Sequence, residues 1–202
     1  MKVFDGESLN VLVAGGGGIG AALVAELLAK ANVARVFSLQ RQPRGLSADS
    51  RLLELACDAG DEASLDEAME RVAGECDRLH LAINAVGMLH GENLRPEKRL
   101  RDLRGDALQT LFAVNAMFLP LLARRLGPLL RHPEPTVLAS LSARVGSIGD
   151  NGMGGWYSYR ASKAAHNMLL KTLAVEWRLS HRNCAVVALH PGTVATPLSL
   201  PY

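Results

Sequence analysis

The sequence has few cysteines and no cluster of metal-binding side chains. Its three cysteines, Cys57, Cys76 and Cys184, are far apart, and none belongs to a Cys-x-x-Cys or Cys/His motif. This pattern supports neither a disulfide framework nor a zinc site, so we expect no bound metal. It is typical of a protein from a reducing compartment, which predicts a cytoplasmic location.

A leader segment and a long apolar run are also missing. Residues 1–10 contain no apolar stretch of the kind that marks a signal peptide. The longest uninterrupted apolar runs are far shorter than the ~18 residues that suggest a membrane span. We therefore expect no association with a membrane.

Charge of one sign is not in excess. The chain carries 22 Lys and Arg against 20 Asp and Glu, a formal net charge of +2. Nucleic-acid-binding proteins usually present a concentrated basic face. Arginines are frequent between residues 81 and 124, but acidic residues are interleaved with them, which is typical of a solvated surface. We expect no nucleic-acid partner.

What the sequence does have is a regular alternation of short β-type runs and longer helical patterns. Its 202 residues, 49% of them hydrophobic, suit a single domain over residues 1–202 with a buried parallel sheet. The predicted strands are residues 11–14, 35–39, 53–56, 79–83, 136–141 and 185–189. The predicted helices are residues 21–30, 65–73, 107–130 (with a kink near Pro120) and 157–179. The alternation predicts a Rossmann-type, doubly wound α/β fold, with loops at 40–49 and 87–105.

A glycine-rich segment joins the first predicted strand to the first helix. Residues 11–20 are Val-Leu-Val-Ala-Gly-Gly-Gly-Gly-Ile-Gly. Glycines permit a tight turn and a close approach of backbone N–H groups to a pyrophosphate, and the following helix adds partial positive charge. Two registers are open: GxGxxG on Gly15, Gly17 and Gly20, or GxxxGxG with its first glycine replaced by Ala14. A glycine turn without a ligand is the alternative, but the strand–turn–helix context favours dinucleotide binding.

The end of the second strand bears on the choice of nucleotide. Residues 37–42 contain no Asp or Glu to bind a ribose 2′-hydroxyl. Ser38 and Arg41 lie there instead, and an arginine can bind a 2′-phosphate, which favours NADP while leaving NAD open. The alternative is that Arg41 is a solvated loop residue.

Tyr159 and Lys163 are four residues apart on one predicted helix and therefore share a face. A nearby ammonium group lowers the pKa of a phenol, which suits the tyrosine to general acid/base chemistry. Ser142, after the fifth strand, could bind a substrate oxygen. Ser140 is the alternative, unless it is a strand residue that faces away. Taken alone, the Tyr/Lys spacing is also common in surface pairs.

These motifs together resemble the classical short-chain dehydrogenase/reductase family over residues 10–200. The resemblance rests on the glycine turn, Asn84-Ala-Val-Gly87, Asn115, Ser142, Tyr159-Arg-Ala-Ser-Lys163 and Pro191-Gly-Thr-Val-Ala-Thr196. Residues 141–150 and 155–163 look like the C-factor-like subgroup.

The resemblance implies a role for each matching residue. Tyr159 would be the acid/base, Lys163 would lower its pKa and bind the nicotinamide ribose, Ser142 would orient the substrate oxygen, and Asn115 would hold a water. The implied cofactor-binding set is Ala14, Gly15, Gly17, Gly18, Ile19, Gly20, Ser38, Arg41, Asp58, Asn84, Ala85, Gly87, Tyr159, Lys163, Pro191, Gly192, Val194 and Thr196.

Two departures from the family affect these expectations. Ala14 adds a methyl group where the family has a glycine close to the pyrophosphate. The family also continues through a substrate-covering helix and a last strand, whereas this chain ends at Tyr202. We therefore expect a sheet without that C-terminal strand, and nucleotide binding with weak turnover.

The resemblance and the apolar helices also predict partners. The leading hypothesis is an NAD(P)-dependent oxidoreductase that acts on a small carbonyl or alcohol. The alternatives are a non-catalytic nucleotide-binding regulator or signalling protein and an S-adenosylmethionine methyltransferase.

Apolar residues on two long helices predict a homodimer or higher homo-oligomer, with an intramolecular core as the alternative. Trp156 and Tyr157 either border a substrate pocket or pack internally.

Overall fold

One parallel sheet organises the protein, whose computed structural model describes residues 8–43, 45 and 49–201. Part of the loop expected at 40–49 lies outside the described residues. The strands are β1 (Leu9–Ala14), β2 (Val33–Gln40), β3 (Leu52–Ala56), β4 (Leu81–Asn84), β5 (Thr136–Leu141) and β6 (Cys184–Leu189). They pair in the order β3-β2-β1-β4-β5-β6, and every pairing is parallel. The predicted Rossmann-type, single-domain fold is confirmed.

The helices lie between the strands, as the alternation predicts. They are α1 (Gly18–Leu28), α2 (Glu62–Glu75), α3 (Gly105–Phe112), α4 (Phe118–Leu130) and α5 (Tyr157–Ser180). α1 begins three residues earlier than predicted, because its first turn lies inside the glycine run, where no apolar periodicity marks a helix. β4 begins at Leu81 and not at residue 79, because the N–H groups of Leu79 and His80 bond to Leu129 and Asn10 ahead of the β4 ladder.

Both faces of the sheet are buried against helices. Leu12 belongs to a large cluster with Phe37, Leu122 and Leu138, against which α2, α4 and α5 pack. The neighbouring Val11 belongs to a second cluster, on the side of α1. Successive strand residues point to opposite faces, so the continuous apolar sequence of β1 serves both cores. Each fully buried aliphatic side chain of this kind contributes about 1.5–3 kcal/mol.

The helix predicted over residues 107–130 is interrupted by a π-helical turn, Ala113–Met117, between α3 and α4. The kink expected near Pro120 stays a prediction. The Phe118 N–H bonds to the Ala113 carbonyl, five residues back. Residue 120, in the first turn of α4, is a proline and has no N–H to donate to the preceding turn.

The helical segment Gly105–Leu130 is long and apolar enough to cross a membrane by length and composition alone, with a mean hydropathy of 1.4 over its most apolar window. The uninterrupted apolar run is nevertheless short, because Arg124 and Arg125 lie inside the segment. A buried core helix has the same composition, and 44% of the window is buried inside the protein. Phe118, Leu122 and Leu126 belong to the main core, so we interpret the segment as a core helix.

Gly20→Ala should destabilise the fold. A Cβ at Gly20 would overlap the carbonyl oxygen of Gly15, which is backbone and cannot move aside cheaply. We expect a loss of about 3 kcal/mol or more in the free energy of unfolding, measured by denaturant titration. The control is Gly74→Ala in α2, where a Cβ meets nothing within 4 Å and a gain of about 0.5–1 kcal/mol is expected. Equal stability of Gly20→Ala and the parent would contradict the tight turn.

Candidate active site

The glycine turn between β1 and α1 brings two strand ends into close contact. Gly15 has a φ of +108°, and a Cβ there would lie 2.8–2.9 Å from backbone atoms of Ala85 and Val86. Gly17 caps the N-terminus of α1, and a Cβ added to it would meet nothing within 4 Å. The first N–H groups of α1 therefore border open space, an arrangement that fits a phosphate group.

A cleft of about 560 Å³ opens next to this turn, at the carboxyl ends of the strands. Six of the predicted cofactor-binding residues line it: Gly15, Gly17, Arg41, Asp58, Ala85 and Gly87. In an open parallel sheet this edge, where the strand order reverses, is the usual ligand site. β1 and β4 flank the reversal here.

The other twelve predicted cofactor-binding residues do not line this cleft, and they include four that lie in β1, β2 and the start of α1. Ala14 is fully buried in the main core, and its carbonyl accepts the Ala85 N–H at 2.7 Å. Its methyl group therefore lies in the core and does not narrow the cleft. Ser38 is buried within β2, and Ile19 and Gly20 belong to the first turn of α1. These residues support the cleft without lining it.

Gln40 is a cleft residue that sequence reasoning missed. It ends β2, lines the cleft, and donates from Nε2 to Glu54 Oε1 at 2.6 Å. Glu54 lies on the neighbouring β3, so a carboxylate lies beside the end of β2 although β2 itself contributes none. No pattern within residues 37–42 could show this, because it depends on the pairing of two strands.

Tyr159 is buried near the start of α5 in an apolar cluster. It packs with Leu89 and Leu111, and its ring meets that of Trp156 edge to face with centroids 6.1 Å apart. Tyr157, by contrast, is 41% exposed. Of the two aromatic residues considered for a pocket border, Trp156 is therefore the one that contacts Tyr159.

Lys163 extends from α5 towards the cleft wall. Its Nζ donates to the Leu141 carbonyl at 3.1 Å, and a Cβ on Gly87 would lie 3.9 Å from that Nζ. Tyr159 and Lys163 thus lie in the protein interior and not in a surface pair.

Burial determines the protonation of both side chains. It raises the pKa of Tyr159 above its usual value and lowers the pKa of Lys163 to about 8. The sequence led us to expect a lowered tyrosine pKa, but here desolvation by apolar neighbours dominates and the Lys163 ammonium bonds to Leu141. Tyr159 therefore holds its proton at neutral pH.

The two serines occupy different environments. The Ser142 hydroxyl donates to Asn167 Oδ1 at 2.5 Å and lines a second cleft, of about 520 Å³, whose lining does not include Tyr159. Ser140 is fully buried between Asn84 and His166. The described contacts do not join either hydroxyl to Tyr159, so the substrate-orienting role of Ser142 stays a prediction.

Asn115 and Asn84 hold the wall of the main cleft. Asn115 accepts the Met88 N–H at 2.7 Å, donates to the Met88 carbonyl at 2.8 Å, and donates to Ser162 at 3.1 Å. Asn84 accepts the Val86 N–H at 3.1 Å and donates to Ser140. Asn84 therefore links the end of β4 to β5 and to the backbone of the cleft wall, and the side chain of Asn115 is occupied by protein groups.

The segment after β6 bridges the two halves of the site. A Cβ on Gly18 would lie 2.9 Å from the Thr196 methyl group, and Leu198 packs against the Tyr159 cluster. The Pro197 carbonyl lies 3.1 Å from His90 Nε2. Pro191, Gly192 and Val194, also predicted to bind the cofactor, are exposed in the loop that leads there.

The comparisons with known proteins agree with this architecture. A family model described as short chain dehydrogenase matches residues 9–201. The chain belongs to the short-chain dehydrogenase family. This assignment gives no support to the methyltransferase alternative.

Three similar proteins illustrate the family relationship. An NADPH-bound carbonyl reductase structure from chicken fatty liver has a TM-score of 0.84 and 26% identity, covering 98% of this chain and 80% of that chain. A 1-hydroxy-2-glutathionyl-2-methyl-3-butene dehydrogenase from Rhodococcus sp. (strain AD45) is 32% identical over 75% of this chain and 65% of its own. A protein named C-signal from Myxococcus xanthus is 34% identical over 45% of this chain and 53% of its own. The matches thus span less than two thirds of the length of these last two short-chain dehydrogenase relatives.

His166 is a second residue that sequence reasoning missed, although it follows Lys163 by three positions. It is fully buried, and burial together with the Lys163 charge lowers its pKa to about 4. Its Nδ1 lies 2.9 Å from the Asn115 carbonyl and its Nε2 lies 3.1 Å from the Ser140 hydroxyl.

The stability of the protein should decline in mild acid because of His166. Its folded-state pKa of about 4 is below the ordinary 6.5, so the unfolded state binds more protons between these values. Stability therefore falls as the pH drops from about 6.5 to 4, by up to about 3 kcal/mol. Denaturant titrations of the parent and of His166→Asn at pH 7 and pH 4.5 check this, since the variant should lose less. An equal loss in both proteins would contradict it.

Proposed function

We propose that this protein is a nicotinamide-dependent oxidoreductase that interconverts a carbonyl and an alcohol, with NADP preferred. The observation that carries the proposal is the juxtaposition of the glycine-lined cleft with the buried Tyr159–Lys163 pair. Lys163 lies close to Gly87, which is part of the cleft wall. A nucleotide-binding space and a proton-carrying group thus adjoin each other.

The cleft supports binding of the dinucleotide. The N-terminus of α1 at Gly17 offers N–H groups to the pyrophosphate, and Asp58 and Ala85 border the space for the adenosine. Lys163 would bind the nicotinamide ribose. When bound, the nicotinamide supplies or accepts a hydride.

The preference for NADP rests on Arg41, which is exposed and lines the cleft at the end of β2. A guanidinium group there would bind the 2′-phosphate by charge-assisted hydrogen bonds. The carboxylate of Glu54 faces Gln40, which donates to it. The Glu54 carboxylate, at the edge of the cleft, is therefore already hydrogen-bonded to a protein side chain.

In the reducing direction the neutral Tyr159 donates its proton to the carbonyl oxygen and becomes a phenolate. In the oxidising direction the phenolate form accepts the proton of the alcohol. The raised pKa of Tyr159, caused by burial, keeps the proton in place until the oxygen becomes more basic and thus favours the reducing direction at neutral pH. The Lys163 ammonium then stabilises the phenolate that forms. Ser142 would orient the substrate oxygen after a rearrangement that releases its bond to Asn167. The water-binding role that the resemblance implies for Asn115 stays a prediction, because its side chain is bonded to Met88 and Ser162.

We also infer a homo-oligomeric, cytoplasmic protein whose partner molecule is a small carbonyl or alcohol. Trp177 and Leu173 of α5 face the main core, which accounts for one apolar face. Met168, Val175 and Leu179 of the same helix are exposed, which supports a contact with a second subunit. The three cysteines are all free thiols, which supports a reducing compartment.

A second candidate is a nucleotide-binding regulatory or signalling protein without turnover. The partial match to the protein named C-signal favours it. The two candidates differ in whether Tyr159 is needed: a regulator binds the nucleotide but shows no Tyr159-dependent consumption of NADPH.

Gly17→Val should weaken nucleotide binding without unfolding the protein. The branched side chain would occupy the open space in front of α1, where the pyrophosphate is proposed to lie. We expect at least about tenfold weaker binding of NADPH, measured by calorimetry. Gly149→Val is the control, because a Cβ there also meets nothing within 4 Å and Gly149 does not line the cleft. Parent-like affinity of Gly17→Val for both NADPH and NADH would refute the site.

Arg41→Ala should remove most of the preference for NADP. A charge-assisted contact to the 2′-phosphate contributes roughly 1.5–3 kcal/mol to binding, so its loss should weaken NADPH affinity about ten- to a hundredfold. Affinity for NADH should stay unchanged. Arg71→Ala, an exposed arginine of α2 outside the cleft lining, controls for net charge. If the parent binds NADPH and NADH equally well, the preference does not exist.

Tyr159→Phe should abolish most turnover and keep nucleotide binding. It removes only the hydroxyl, and a positioned acid/base contributes ~10²–10⁴-fold to the rate. The assay follows NADPH absorbance with a panel of aldehydes, cyclic ketones and dicarbonyl compounds. Tyr157→Phe, the same change at the exposed neighbouring tyrosine, should keep the parent rate. Normal turnover by Tyr159→Phe would show that the proposed chemistry is wrong.

A further inference from the structure

A chain of buried hydrogen bonds crosses the protein behind the cleft. Asn84 Nδ2, at the end of β4, donates to Ser140 Oγ on β5 at 3.0 Å. Ser140 Oγ lies 3.1 Å from His166 Nε2 on α5, and His166 Nδ1 lies 2.9 Å from the Asn115 carbonyl in the π-turn. All four residues are at most 2% exposed. The chain thus links two strands, a helix and the π-turn.

The chemistry of the partners permits one direction of donation along this chain. A carbonyl only accepts, so His166 Nδ1 must carry a hydrogen. The neutral ring then accepts at Nε2, and the Ser140 hydroxyl must be the donor. Ser140 in turn accepts from Asn84. Every polar group in this series of hydrogen bonds has a partner. Burial lowers the pKa of His166 to about 4, which favours the neutral ring.

His166 bridges α5 to the π-turn. The Asn115 carbonyl is a buried acceptor in that turn, and His166 Nδ1 lies 2.9 Å from it. A buried carbonyl is stabilised by a hydrogen-bond donor, so this contact helps to fix the π-turn relative to α5.

Both ends of the chain hold the same part of the cleft wall. Asn84 binds the Val86 N–H, and Asn115 binds both backbone groups of Met88. Gly87 lies between them, opposite Lys163 Nζ. Asn115 also donates to Ser162, whose hydroxyl donates to the carbonyl of Tyr159 at 2.9 Å.

We propose that His166 is a positioning residue for the reaction: through Ser140 and Asn115 it holds residues 86–88 of the cleft wall in register with Tyr159 and Lys163. This inference rests on the proposed oxidoreductase function. His166 does not touch the substrate or the nucleotide. Its effect is on the geometry of hydride and proton transfer, because a displacement of about 1 Å can reduce a rate ~10²-fold.

Three substitutions at His166 test the contributions of its two ring nitrogen atoms separately. His166→Leu removes both. His166→Asn keeps a donor one bond from Cγ, where Nδ1 stands. His166→Gln keeps a polar atom near the place of Nε2 and loses the donor to Asn115. We expect kcat with NADPH to fall about ten- to a hundredfold in the Leu and Gln variants and to recover to within about threefold of the parent in the Asn variant. NADPH affinity should fall less than kcat, because the glycine turn at Gly15–Gly17 and Arg41 keep their places in the cleft.

Hydrogen exchange gives a readout that does not depend on turnover. The amides of residues 86–88 should exchange at least about tenfold faster in the Leu and Gln variants, while the amides of β1 keep their protection. His80→Asn is the control for loss of a buried histidine. His80 precedes β4, at the opposite end of the strand from the cleft, and bonds to Glu134. It should lower stability and leave kcat and the exchange of residues 86–88 unchanged.

Tyr159→Phe, assayed in parallel, separates the two hypotheses. If Tyr159→Phe is inactive but His166→Gln keeps the parent kcat and exchange, the positioning role is overturned and the proposed function stands. If Tyr159→Phe turns over normally, the proposed function fails. If the Leu variant does not fold, the Asn and Gln pair decides, and equal kcat in these two variants overturns the role of the Nδ1 donor.

Discussion

The close approach of the β1–α1 turn to the end of β4 is the constraint on which the rest of the structure depends. Gly15 has a φ of +108°, and a Cβ added to it would lie only 2.8 Å from the carbonyl carbon of Ala85. The Ala14 carbonyl accepts the Ala85 N–H across the same junction. Because these backbones touch, α1 begins immediately beside the sheet edge, and the space beyond Gly17 stays open as the cleft. Side chains in the turn would separate the strand ends and fill that space.

Burial, more than charge pairing, determines the chemistry of the adjoining residues. Apolar neighbours raise the pKa of Tyr159, and desolvation lowers the pKa of Lys163 to about 8 and of His166 to about 4. The three residues lie within two turns of α5. Lys163 bonds to β5, and His166 bonds both to β5 and to the π-turn. The helix therefore connects Tyr159 to the wall of the cleft.

Much of this arrangement could be predicted from the sequence because it follows from local patterns. The strand–glycine–helix order predicts the turn, and the i, i+4 spacing places Tyr159 and Lys163 on one face. The positions of Arg41, Asp58 and Gly87 after predicted strands predict their place in the cleft, because parallel strands end at one edge. Boundaries were less accurate where tertiary contacts decide them, as at Leu79, whose N–H bonds to Leu129.

By itself the sequence determined the α/β fold, the family resemblance and six of the residues that line the cleft, since each depends on periodicity or on order along the chain. Only the tertiary structure decided which side chains meet. Glu54 reaches Gln40 through the pairing of β2 with β3, and Ser142 turns to Asn167 of α5. His166 meets the Asn115 carbonyl, 51 residues earlier in the chain, through the packing of α5 against the π-turn. Such contacts join residues far apart in sequence, and their geometry is set by packing, which no local pattern encodes.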